Sequence, residues 1–231
     1  MMTQAFAPAA PVDGAIDEQP RPWREFLTPL GFLDRSAGAF RDKTAVVYGD
    51  RRWTYGQFAE RVNRLASSLR AAGLEPGDRV AVLCPNIPPM LEAHFGVPLA
   101  GGVIVAINTR LAADDVAYIL DHSGAAFLLV DTEFAHLVAP VLDRLPELRQ
   151  VVNIVDAEMP LTLPGPTYDA FLEGRRPEHL DWRLARETDL IAINYTSGTT
   201  GRPKGVMYHH RGVYLNALAG LIHTRLTSDA V

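Results

Sequence analysis

The residues best suited to chemistry lie between Tyr195 and Gly205, which read Tyr-Thr-Ser-Gly-Thr-Thr-Gly-Arg-Pro-Lys-Gly. Gly198, Gly201 and Gly205 let a backbone turn tightly and approach a ligand closely. Thr196, Ser197, Thr199 and Thr200 add short hydroxyl donors, and Lys204, with Pro203 stiffening the chain before it, adds a cation. Apolar Leu190-Ile-Ala-Ile193 precedes the stretch and β-prone Val206-Met-Tyr208 follows it, so a loop between two buried strands is expected. Convergent N–H and O–H donors with an ammonium suit a polyphosphate. The common nucleotide-triphosphate motif sets its glycines farther apart and puts Ser or Thr directly after the Lys. Here two residues separate Gly198 from Gly201, and Gly205 follows Lys204. A solvated Ser/Thr/Gly linker is the competing reading, and the flanking strand-like runs argue against it.

The run Tyr195-Thr-Ser-Gly-Thr-Thr-Gly-Arg-Pro-Lys-Gly-Val206 resembles the signature loop of the adenylate-forming (AMP-binding) superfamily, which includes acyl-CoA synthetases, and the resemblance extends back to about Phe32. It implies a two-step reaction: a carboxylate attacks the α-phosphate of ATP to give an acyl-adenylate and pyrophosphate, and a thiol, usually that of coenzyme A, then takes the acyl group. The first step would be catalysed mostly by charge stabilisation and positioning. By the same resemblance Thr196, Ser197, Gly198, Thr199, Thr200, Gly201 and Lys204 bind ATP, with Thr196 and Lys204 as catalytic candidates. ATP, Mg2+ and coenzyme A are the implied cofactors, and a small carboxylic acid is the implied substrate.

His209-His210-Arg211 follows the second strand. Adjacent strand residues point to opposite faces, and no Cys or carboxylate stands beside these histidines at ligand spacing, so no metal site is expected. His209 and His210 are instead read as neighbours of the acyl or adenylate pocket, and Arg211 as flanking the next helix. His94, His122 and His136 fall in predicted helices, where packing or surface roles are expected. Asp114 and Asp115 resemble a carboxylate pair, but a place in the first turn of a helix accounts for them.

The elements that must position the loop alternate. Leu27 to Phe40 is an amphipathic opening segment anchored by Leu30, Phe32 and Leu33. Thr44–Tyr48 and Arg51–Thr54, joined by Gly49-Asp50, read as a β-hairpin. Thr54 and Gln57 have capping-box spacing, and Phe58, Val62, Leu65 and Leu69 fall on one face of the helix that follows. Apolar runs at Arg79–Cys84, Val103–Ile107, Ala126–Val130 and Gln150–Val155 read as buried strands. Helices are expected from Pro88, with Pro98 ending or kinking it, over Ala113–Ser123, and from Asp131 or Thr132 to about Leu142. This alternation predicts an α/β fold with parallel sheets and flanking helices, the layout that the resemblance also implies. Residues 156–189, rich in proline and charge, read as an irregular connection with a short helix at Thr167–Leu172. The expected organisation is a flexible leader over 1–22, a first α/β subdomain over 23–160, and a linker plus the start of a second subdomain over 161–231.

With 231 residues and 48% hydrophobic content, a sizeable core can form. A net charge of −5, mixed in sign, makes no electrostatic case for nucleic acid or an acidic membrane. The single cysteine, Cys84, precludes an internal disulfide, fits a reducing compartment such as the cytoplasm, and is expected to be a buried hydrophobe. No stretch reads as a signal peptide or a membrane span.

Full members of the superfamily run to roughly twice this length or more. The resemblance therefore implies an N-terminal portion of an acyl-CoA synthetase, a fatty-acid or other organic-acid–CoA ligase, inactive by itself. Uncovered sheet edges would leave self-association into a homo-oligomer open. Two alternatives stay open at this point: an adenylation domain loading an amino or aryl acid onto a carrier protein, or a non-catalytic module that keeps the fold.

Overall fold

The computed structural model describes residues 25–157, 159–175, 177–182, 184–196 and 202–227. The leader expected over 1–22 lies outside them. Helix α1 (Leu30–Ala39) is followed by the antiparallel hairpin β1 (Thr44–Tyr48) and β2 (Arg51–Thr54). Thr54 then starts α2 (Tyr55–Ala71) with the expected reciprocal cap: its Oγ1 accepts from the Gln57 backbone N–H, and the Gln57 side chain accepts from the Thr54 N–H.

The centre of the molecule is a six-stranded sheet in the order β6-β5-β3-β4-β7-β8. Its strands are β3 (Arg79–Leu83), β4 (Val103–Ala106), β5 (Ala125–Asp131), β6 (Gln150–Ile154), β7 (Leu190–Thr196) and β8 (Lys204–His209). All neighbours are parallel except β7 and β8 at one edge, which form an antiparallel pair. Between the strands run α3 (Pro88–Ala100) and α4 (Ala113–Ser123). The strands on either side of the boundary expected near residue 160 share this sheet, through the pairing of Ile104 with Ala192.

The period-two geometry of a strand divides the core into two layers. On β3 and β5, Val80, Val82, Phe127 and Leu129 face α2 and α3, while Ala81, Leu83, Leu128 and Val130 face α4. All seven residues of β5 are buried, as a strand covered on both faces requires. The apolar stripe of α2 packs on α3 so closely that a Cβ added at Gly96 would sit 2.7 Å from Leu65 Cδ2.

Two expected helices differ. Pro98 does not stop α3, which runs on two residues to Ala100 and closes on left-handed Gly101. The proline sits in the last turn, where its missing N–H forfeits one bond and the Gly101 and Gly102 N–H groups supply the closing bonds to Pro98 and Val97. After β5, Asp131 does cap, accepting from the Glu133 N–H at 2.9 Å. The helix it starts is broken into a 3-10 turn (Thr132–Phe134), a single α-turn α5 (Ala135–Val138) and a second 3-10 stretch (Ala139–Arg144). Pro140, lacking an N–H donor, lies inside the second of these.

The irregular connection is strapped to α2 and α3. Short helix α6 (Tyr168–Leu172) is capped by Thr167. Its Tyr168 donates to Glu92 Oε2 at 2.7 Å, while Arg61 Nε donates to Glu92 Oε1 at 2.5 Å. Glu92 is buried, so its two partners satisfy a carboxylate that would otherwise be costly in the core. Ser68 Oγ donates to the Phe171 carbonyl at 2.6 Å, and Arg64 to that of Arg175 at 2.6 Å. Among the described residues no helix is long and apolar enough to cross a membrane. The last helix, α7 (His210–Thr224), follows β8 directly.

Candidate functional site

The expected loop joins β7 to β8, and the register fixes where its arms lie. Tyr195 pairs with Gly205, and Thr196 with Lys204. Because β7 is parallel to β4, Thr196 and Lys204 lie at the carboxyl edge of the sheet, where open α/β sheets bind ligands. Both are exposed. Lys204 makes no ion pair with a described residue. Ser197, Gly198, Thr199, Thr200 and Gly201 lie outside the described residues.

The arms are packed by their surroundings. A Cβ at Gly205 would lie 3.0 Å from Ile193 Cγ2 and 3.3 Å from Tyr195 Cζ, so the tyrosine ring crosses the strand where there is no side chain. That ring reaches α4, where the hydroxyl lies 2.8 Å from His122 Nδ1. Partial burial raises the Tyr195 phenol above its ordinary pKa, with Tyr118 adding to the effect, so the hydroxyl stays protonated at neutral pH. On the other arm, the Arg202 guanidinium stands 5.3 Å from the centre of the Tyr118 ring. A cavity of about 400 Å³ opens beside α4, with Tyr118, Asp121, Arg144 and Arg202 on its wall.

The two histidines are not brought to this site. Since β8 is antiparallel to β7, it carries His209 back to lie opposite Leu190, at the amino edge. The length of the strand puts them roughly 20 Å from Thr196. There His209 caps α7, its Nδ1 accepting from the Gly212 N–H at 2.9 Å. His210 is buried, with Nδ1 2.8 Å from Thr28 Oγ1, and burial lowers its pKa to about 4, so the ring is neutral at pH 7. Both nitrogens with described partners serve the fold, and His210 also lines a cavity of about 500 Å³ at this edge of the sheet. Arg211 flanks the helix through Glu187, at 2.6 Å.

The remaining candidates fall out simply. Cys84 is buried among apolar side chains, and burial pushes its thiol up to about 12, with Asp131 and Asp156 adding to the effect, so it is an inert thiol at neutral pH. Asp114 and Asp115 occupy the first turn of α4, where the helix dipole favours them. His94 and His136 bond carbonyls of their own segments, those of Met90 and Glu133. Among the described residues no group of three or more His, Cys, Asp or Glu side chains could hold a metal ion.

His122, expected to have a packing or surface role, is the described residue whose contact with the Tyr195 arm sequence reasoning passed over. The available signal was the spacing of Tyr118 and His122, which puts two ring side chains on one face of an amphipathic helix.

The fold and the loop have known counterparts. Residues 33–231 match the family described as AMP-binding enzyme. The chain is 39% identical over 215 residues to 4-hydroxybutyrate–CoA ligase 2 of Metallosphaera sedula, covering 90% of this chain and 39% of that protein. It is 37% identical over 233 residues to an acetate–CoA ligase of Humulus lupulus, covering 94% of this chain and 41% of that one. The chain thus spans about two fifths of the length of these curated relatives. A structure described as a putative long-chain-fatty-acid CoA ligase from Rhodopseudomonas palustris superposes with a TM-score of 0.78 at 27% identity, covering 87% of this chain and 49% of that one. With the family match running from Leu33 onward and the α/β architecture shared, the chain belongs to the AMP-binding enzyme family.

Proposed function

We propose that the protein acts in an ATP-dependent acid–thiol ligase of the acyl-CoA synthetase type. A carboxylate oxygen attacks the α-phosphorus of ATP, the bond to the bridging oxygen breaks, and pyrophosphate leaves. The thiol sulfur of coenzyme A then attacks the acyl carbon, AMP departs, and the thiol proton passes to solvent. AMP is the better leaving group, which is the reason for the first step. The observation that carries the proposal is the family match over residues 33–231, whose relatives are named as CoA ligases for acetate and 4-hydroxybutyrate. Those names favour a small organic acid.

In this reading Thr196, Ser197, Thr199 and Thr200 donate hydroxyls to the β- and γ-phosphates. Gly198 and Gly201 let backbone N–H groups approach, and Lys204 neutralises charge as pyrophosphate develops. Mg2+ would accompany the phosphates of ATP, as that ion commonly does. The single buried cysteine suits a reducing compartment such as the cytoplasm.

The test is a screen of carboxylic acids with ATP and coenzyme A on the full-length protein, following pyrophosphate release. Lys204→Ala should weaken ATP binding about tenfold to hundredfold, the worth of a charge-assisted hydrogen bond. Unaltered ATP binding in that variant by calorimetry would overturn the assignment of the loop.

A further inference from the structure

We infer that Tyr118 and His122 of α4 are positioning residues for the phosphate loop, acting through its two arms. The inference rests on the reading of that loop as an ATP site, and it names side chains that the loop motif does not contain.

The two residues lie one helical turn apart, on one face of α4. Their rings are stacked, with centroids 5.1 Å apart and planes at 29°. His122 meets the residue just before Thr196: its Nδ1 is 2.8 Å from the Tyr195 hydroxyl, and the two rings stand edge to face at 5.9 Å. Tyr118 meets the other arm, with the Arg202 guanidinium 5.3 Å from its centroid. Arg202 stands on the wall of the cavity beside α4 and makes no ion pair with a described residue. The Tyr118 face is therefore its described anchor. One stacked pair of rings thus touches the chain on both sides of the loop.

The platform itself is fixed. Val116, Ile119 and Leu120 bury the opposite face of α4 against the sheet, and left-handed Gly124 closes its end. Gly205 completes the arrangement, since any side chain there would press on the Tyr195 ring that reaches His122. Ordering a loop around a ligand costs conformational entropy at each residue. Arms held in advance remove part of that cost before ATP arrives, so the pair should act on nucleotide affinity and not on the bond-making step.

A merely structural role would loosen the fold without singling out ATP, and the experiment separates the two. In the full-length protein, His122→Ala and Tyr195→Phe should each raise KM for ATP about threefold to tenfold, the worth of one exposed hydrogen bond. KM for the acid and kcat should stay within about twofold. The double variant should be no worse than His122→Ala alone, because the hydrogen bond that Tyr195→Phe removes is already lost there. His122→Asn, which keeps a polar group facing the phenol, should recover most of the loss. Hydrogen exchange in the ligand-free protein gives the second readout. His122→Ala and Tyr118→Leu should accelerate exchange over residues 195–205 and leave β5 unchanged. Unchanged KM for ATP, a parallel rise in both KM values, or additive single effects would overturn the inference, as would unaltered exchange over 195–205. Wild-type protein without pyrophosphate release for any acid would instead overturn the proposed function, and the exchange result would still decide whether α4 anchors the arms.

Discussion

His210 should make the protein lose stability on mild acidification. Its imidazole is buried at the start of α7 against Thr28, and burial holds its pKa at about 4, against an ordinary value of 6.5. Asp189 works against that depression and His209 with it, while Arg79 and Arg186 line the cavity beside it. Above pH 6.5 the ring is neutral in both folded and unfolded chains, and it contributes no pH dependence. Between pH 6.5 and 4 the unfolded chain takes up a proton that the folded one refuses, so stability falls as pH falls. The distance from 6.5 to about 4 corresponds to roughly 3 kcal/mol when complete, and roughly 2 kcal/mol at pH 5. Carboxylates titrate in the lower part of this window too, so the comparison must be with His210→Asn, whose amide can still reach Thr28 and carries no titrating group. Urea unfolding at pH 7.5 and pH 5.0 is the assay. Wild type should lose about 2 kcal/mol more than the variant across that interval, close to 0.7–1 M in midpoint for a typical slope of ~2–3 kcal/mol/M. Parallel pH profiles would refute the reasoning, because they would mean that the buried ring accepts its proton without leaving its site.

Other perturbations test the scaffold. Glu92→Ala leaves Arg61 and the Tyr168 hydroxyl facing a hole, and should cost about 3 kcal/mol in denaturant unfolding. This is the low end for a buried pair because Arg61 keeps some solvent contact. Gly165→Ala should cost at least about 2 kcal/mol by the same measurement: Gly165 has φ +107°, and a Cβ there would fall 2.1 Å from the Val151 carbonyl oxygen, which belongs to the sheet and cannot give way.

What could be read from the sequence was local. The cap on α2 is a pattern spanning four residues, Thr54 to Gln57, and it forms as written. Strands β3, β4, β5 and β6 showed as short apolar runs because both their faces are covered, so no polar alternation interrupts them. The loop between β7 and β8 could be located because its glycines, hydroxyls and lysine are contiguous and β-prone runs flank them. The contacts that support it could not be, since Tyr195 and His122 are 73 residues apart and meet only once β7 takes its place beyond β4. The distance of His209 and His210 from the loop was hidden for a related reason. Nearness in sequence to the loop suggested nearness in space, whereas an extended strand carries its far end away at the full length of its rise. Of the breaks after Asp131, the one between Val138 and Ala139 adjoins Pro140, which has no N–H to continue an α-helix through it.

Because β5 is enclosed on both sides, its two inventories of side chains are interlocked like the teeth of a zip. Exchange of one aliphatic residue for another between Ala125 and Asp131 asks only for local repacking. Adding or deleting a single residue there would hand each layer the side chains cut for the other, Leu128 to the α2 side and Leu129 to the α4 side. The strand can therefore drift in composition through descent while its length stays frozen.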